Sequence, residues 1–184
     1  YYEKINVGVS IADIRTIRVF MVGEVVRPGG YSVSSLSTLF NALFMAGGPT
    51  KRGTLRNIEL IRNGQKIAVV DLYKFLLSGD KRQDQSLQSG DTIYVPIIGP
   101  TVGIAGNVYR PAIYEVKGSP DLADVVQLAG GVLPNSYLNR IQIERIINHD
   151  KRVIMDKQIT FSPNAKSYGI PMKSMDFVSI FGVY

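Results

Sequence analysis

The chain has 184 residues, of which 45% are hydrophobic and 20% charged, proportions that exclude disorder and allow one large domain or two small ones. Cysteine is absent, which excludes disulfides, zinc–thiolate sites and cysteine nucleophiles. The net charge of +6 gives acidic partners a hearing, but the basic residues fall in small groups (Lys51-Arg52, Arg62 with Lys66, Lys81-Arg82, Lys151-Arg152) and read as solvated loop tips rather than a nucleic-acid tail.

Residues 1–18 precede the first strand-like run. Because the chain opens on Tyr1-Tyr2-Glu3 without a methionine, it is expected to be a piece of a longer protein. Val19–Val25 is rich in β-branched and apolar residues, as a strand should be. Arg27-Pro28-Gly29-Gly30 turns the chain, and Tyr31-Ser32-Val33 alternates as a short return strand. A helix follows, with Leu36, Leu39, Phe40, Leu43 and Phe44 on one face, and it ends in Ala46-Gly47-Gly48. Asn63-Gly64 joins the next two strands as a hairpin, Asp71–Leu77 is a short helical segment, and Thr92–Val95 is a closing strand introduced by an aspartate turn at Asp91.

The series then repeats. Laid without a gap over 105–145, residues 22–62 match at 13 of 41 positions, where average composition would give roughly two or three. Among the matches are Gly23/Gly106, Arg27/Arg110, Pro28/Pro111, Tyr31/Tyr114 and Ala46-Gly47-Gly48/Ala129-Gly130-Gly131. Asp91 recurs as Asp176. In the second copy Ser119 reads as the helix N-cap and Pro120 as its first residue, with Leu122, Val125, Val126 and Ala129 facing inward. Its hairpin turn is the longer Asn148-His149-Asp150, residues 157–163 look irregular, and Phe177–Phe181 closes the sheet. The economical solution is an α+β tandem: two β-grasp-like domains, 19–98 and 99–184, each a small mixed sheet with one main helix.

Chemistry is sparse. His149 is the single histidine and reads as a turn filler. No nucleophile elbow, phosphate loop or dinucleotide fingerprint occurs, and Gly103-x-x-Gly106 is only a fragment of one. The chain is expected not to be an enzyme, with no catalytic, cofactor-binding or metal-binding residues and no cofactor. Arg27, Tyr31, Tyr109, Arg110 and Tyr114 are the candidate interface or ligand contacts, since a guanidinium fork suits a carboxylate. Against that, the arginines can cap turns or pair with a local acid such as Glu24, and the tyrosines can cover a sheet edge. Gly23, Pro28, Gly47, Gly48, Asp91, Gly106, Pro111, Gly130, Gly131 and Asp176 are read as turn and cap residues.

The pattern V-x-G-x-V-x-x-P-G-x-Y, then a helix ending Ala-Gly-Gly, a hairpin and a closing Gly-Asp strand, resembles the SLBB (soluble-ligand-binding β-grasp) module. The tandem resembles Wza-like capsular and exopolysaccharide export proteins of the outer membrane over about residues 19–184, departing at Ala112-Ile113 and Met175. The resemblance implies a periplasmic structural and conduit segment of a polysaccharide export complex in a Gram-negative envelope, packing subunits and domains around the translocation path. The parent protein would be a membrane-anchored lipoprotein forming a homo-oligomeric ring, with residues 1–18 as the connector from an upstream export-signature domain, the exported polysaccharide and an inner-membrane co-polymerase as partners, no nucleic acid, and a further repeat after Tyr184. The alternative is a soluble glycan- or small-ligand-binding module without a transport role.

Overall fold

The computed structural model describes residues 15–147, 151–160, 162 and 166–183. His149 and the turn around it, and residues 1–14 of the connector, lie outside the described residues. The chain forms two compact units. One draws on the described residues up to Gly53, on Asn57–Asp71 and on Asp80–Pro96. The other draws on Thr54–Arg56, Leu72–Gly79 and the described residues from Ile97 onward.

The first unit contains strands β1 (Thr16–Gly23), β2 (Gly29–Ser34), β3 (Ile58–Arg62), β4 (Gln65–Val70) and β5 (Thr92–Val95), in the order β2-β1-β5-β3-β4. The central β1–β5 pair is parallel and its flanking pairs are antiparallel, so the sheet is mixed. Alternation decides its faces: Val19 and Met21 of β1 are buried, whereas Phe20 and Val22 point the other way and are partly exposed. Helix α1 (Leu39–Met45) buries Leu39, Phe40, Ala42 and Leu43. Each such leucine contributes about 2 kcal/mol by leaving water. Thr38 caps α1, so the helix begins after Leu36, which is exposed, and Phe44 also faces outward. The apolar face expected over Leu36–Phe44 is therefore narrower, because Leu36 falls before the cap. The Asn63-Gly64 turn has φ of 50° and 75°, the positive pair that matches the twist of a two-residue hairpin.

The second unit repeats the plan with β6 (Thr101–Gly106), β7 (Ala112–Glu115), β8 (Ser136–Ile147), β9 (Lys151–Lys157) and β10 (Phe177–Gly182), in the order β7-β6-β10-β8-β9. Its central β6–β10 pair is again parallel. The helix α3 (Leu122–Leu128) buries Leu122, Val125 and Val126 against Ile104, Ile141, Ile143 and Val178. A second helix, α2 (Leu72–Ser78), belongs by sequence to the first copy, yet its Tyr73 is part of this core. The chain is thus an α+β tandem of two β-grasp-like sheets.

The N-cap of α3 is Asp121, two residues beyond Ser119. Asp121 wins because its side chain accepts from the Ala123 N–H (3.0 Å) while Asp124 accepts from the Asp121 N–H (2.8 Å), a reciprocal capping box that a cap at Ser119 would forgo. The repeated Gly23 and Gly106 lie at φ of 85° and 87°, where an added Cβ would stand 2.2 Å from the Val95 carbonyl oxygen and 2.0 Å from that of Ile180. Only glycine fits there, which accounts for its recurrence at the end of the first strand of each copy.

Candidate functional site

The repeated Arg-Pro-x-x-Tyr stretches close the same loop twice. The Tyr31 hydroxyl donates to the Arg27 carbonyl and the Tyr114 hydroxyl to the Arg110 carbonyl, each at 2.6 Å. The Arg27 side chain donates to the Met45 carbonyl (2.7 Å) and the Arg110 side chain to that of Leu128 (3.4 Å), at the C-terminal ends of α1 and α3. Those carbonyls have no partner within their helices, so a cation there satisfies both hydrogen bonding and the helix dipole. Backbone N–H groups of Arg27 and Arg110 reach Ala46 and Ala129, stitching the loop to Ala-Gly-Gly. Gly47, Gly48, Gly130 and Gly131 all have positive φ there, and Pro28 and Pro111 stand in the exposed loops. Burial raises the Tyr114 phenol above its ordinary pKa and keeps it a donor. Tyr109 is 58% exposed beside Arg110.

A second repeated device is an ion pair between a buried carboxylate and a partly exposed arginine. Asp91, wholly buried, accepts from Arg62 Nε (2.7 Å) and Nη2 (2.8 Å), and also from the Gln88 N–H. Asp176 does the same with Arg145 (2.7 and 2.6 Å) and the Lys173 N–H. The carboxylate hydrogen bond drives each arginine higher still. The arginine partners escaped the sequence reading, although the Arg62/Arg145 identity is the signal that marks them.

The unrepeated residues gather in the second unit. Glu115, 1% exposed, stands where the first copy has Ser32. Its carboxylate accepts from Thr54 Oγ1 (2.6 Å), the Leu55 N–H (2.8 Å) and the Gly99 N–H (2.8 Å). Its backbone takes part as well: the N–H donates to the Tyr73 hydroxyl (3.0 Å) and the carbonyl accepts from Arg56 Nε (2.7 Å). The Arg56 guanidinium lies 4.2 Å from the Tyr73 ring centroid, within cation–π range. Burial raises the Tyr73 phenol, so it stays neutral. This one glutamate fastens residues 54–56 and α2 to β7. Nothing in its sequence neighbourhood announces it, because it follows the strand-like Ala112–Tyr114 without changing the pattern.

Fastening α2 beside α3 leaves a cleft of about 510 Å³, lined within this unit by Arg56, Tyr73, Lys74, Arg110, Lys117 and Asp124 among others. Arg110 is the one of the five proposed contacts that reaches this lining. No group of three or more metal-ligating side chains occurs among the described residues. No helix among them is long and apolar enough to cross a membrane.

Two helix-backed mixed sheets with one loop architecture used twice define a tandem β-grasp-like protein. The SLBB domain family matches residues 18–71 and 101–156, and the chain belongs to that family. It is similar to the polysialic acid transport protein KpsD of Escherichia coli, 32% identical over 123 residues, covering 65% of this chain and 21% of that protein. It is also similar to the EPS I polysaccharide export outer membrane protein EpsA of Ralstonia solanacearum, 30% identical over 135 residues, covering 71% of this chain and 36% of the relative. The chain thus spans about a fifth to a third of the length of these relatives.

Proposed function

We propose that this tandem is a periplasmic structural and conduit segment of a polysaccharide export complex, packing subunits and domains around the translocation path. The observation that carries the reading is the SLBB match in both copies together with likeness to proteins named for polysaccharide transport and export. The geometry agrees with an assembling rather than a reacting role: the repeated charged residues hold loops and strands together. The outermost strands β4 and β9 present Ile67, Val69 and Ile154, each about half exposed, on edges able to pair with a neighbour. In this reading the parent protein is an anchored component of the Gram-negative outer membrane, forms a homo-oligomeric ring and meets both the polymer and an inner-membrane co-polymerase. The chain by itself is expected to be monomeric or weakly associating by sedimentation.

The test is an in-frame deletion of the segment encoding residues 19–184 in the source bacterium, with surface and cell-retained polysaccharide quantified. A lost coat with the truncated protein still in the envelope is the expected result. Unchanged surface polysaccharide would overturn the proposal.

A further inference from the structure

Four cationic side chains from four separate segments converge on the cleft between α2 and α3: Arg56, Lys74 on α2, Arg110 on the Arg-Pro loop, and Lys117 after β7. One carboxylate accompanies them, Asp124, and its Oδ2 is occupied by the Asp121 N–H. Elsewhere some exposed basic residues carry a carboxylate partner, as in Arg82–Asp80, Arg140–Asp156 and Lys66–Glu59, while others such as Lys51 and Lys173 carry none within 4.0 Å among the described residues, so it is the convergence on one concavity that sets the cleft apart. Lys74 and Lys117 have no carboxylate within 4.0 Å among the described residues. Like charges held together around a concavity raise the local concentration of anions and repel one another until an anion arrives.

The cleft has a further property. Its cations stand beside an aromatic and aliphatic wall formed by Tyr73, Leu77 and Leu128. A pyranose ring with a carboxylate offers the matching pair of surfaces, apolar C–H faces and a planar anion for a guanidinium fork. At about 510 Å³ the space falls in the range of roughly 300–1,000 Å³ usual for small-ligand sites. Two of the arginines are also positioned in advance, Arg56 by the Glu115 carbonyl and the Tyr73 ring, Arg110 by the Leu128 carbonyl. The first copy has Ser34 where Lys117 stands and Asn41 where Asp124 stands, so this charge pattern is a property of the second unit.

We propose that the α2–α3 cleft is a binding site for an acidic saccharide, one or a few carboxylate-bearing sugar residues of a polymer chain. The proposal rests on the export reading for its choice of saccharide over other anions. Titration calorimetry on the full 184-residue chain at low ionic strength tests it, with galacturonic acid and sialic acid trimers as probes, maltotriose as the neutral control and inorganic phosphate as the simple anion. The expected result is saturation at one acidic trimer per chain and a Kd at least about tenfold weaker in the Lys74→Glu/Lys117→Glu variant. A Lys51→Glu/Lys173→Glu variant, which changes net charge equally, should stay within about twofold of the unmodified chain. The proposal is overturned if neither acidic trimer binds, if maltotriose or phosphate binds as well as they do, or if the two variants lose affinity alike. Since binding is read on the isolated chain, its failure leaves the export reading to the deletion strain. Conversely, unchanged export in that strain would leave a demonstrated cleft site standing as a ligand site.

Discussion

The two copies share a skeleton and differ in what hangs on it. Both close the Arg-Pro loop with a tyrosine hydroxyl, cover the helix C-terminus with the arginine, and bury an aspartate under a bidentate guanidinium. Ser32 in one copy and Glu115 in the other mark the departure, since only the glutamate reaches Thr54, Leu55 and Gly99. Residues that recur maintain the sheet and its loops. Those that do not recur, Arg56, Lys74, Lys117 and Asp124, build the cleft around the recurrent Arg110.

Breaking the shared skeleton should cost most, and equally in both copies. Asp91→Ala and Asp176→Ala each leave an arginine and a backbone N–H without their buried acceptor, and each is expected to destabilise its unit by about 3–5 kcal/mol in chemical denaturation. A much larger loss from one than from the other would show that the repeat is not energetically a repeat.

Glu115→Gln sharpens the comparison from the unrepeated side. An amide offers one acceptor oxygen where the carboxylate accepted from three donors, so at least one buried donor is opposed, at a cost of about 2 kcal/mol. Hydrogen exchange should quicken at residues 54–56 and 72–79 while β1–β5 stay protected. Uniform quickening would contradict the assignment of Glu115 as a local fastener.

The helix caps differ more subtly. Thr38 makes one long bond of 3.5 Å to the Asn41 N–H, whereas Asp121 accepts from Ala123, Tyr168 and Ile170. Burial by itself would raise the Asp121 carboxyl, but these N–H groups together hold it below its ordinary 3.8. A depressed carboxylate stabilises the folded state above its unfolded pKa, and that contribution disappears as pH falls through the lower folded value. The second unit should therefore lose stability below about pH 4, and Asp121→Ala should remove that acid-sensitive part, at about 1 kcal/mol. An unchanged acid limb in the variant would assign the sensitivity to other groups.

The smallest effect is a gain. Met175 holds φ of 70° where the first copy has Gly90 at 87°. Met175→Gly should relieve about 1 kcal/mol of left-handed strain, partly offset by glycine's greater freedom in the unfolded chain, leaving a gain of about 0.5 kcal/mol that shows as a slightly higher melting midpoint, with Gly90→Ala showing the opposite sign.

Much of the fold was legible because repetition doubles every local signal: one Asn-Gly hairpin, two Ala-Gly-Gly ends and two glycines after a strand fix the order of elements. The N-cap of α3 differs from Ser119 because the single-residue rule weighs neither the local reciprocal bonds of Asp121 and Asp124 nor the N–H groups of Tyr168 and Ile170, which reach Asp121 only when the chain returns there. Arg110 was legible as a candidate. Lys74, Lys117 and Arg56 were not, because they come from segments 43 and 18 residues apart whose approach depends on the long-range bonds of Glu115. A repeat exposes what is constant, and function here is assigned to what varies around the recurrent Arg110.

The most direct test of that division is surface polysaccharide in the source bacterium when its full-length protein carries Lys74→Glu/Lys117→Glu and nothing else. The account predicts reduced surface polymer with polymer retained in the cell, at normal protein level and with an unchanged melting midpoint. Surface polysaccharide equal to that of the unmodified strain would contradict it.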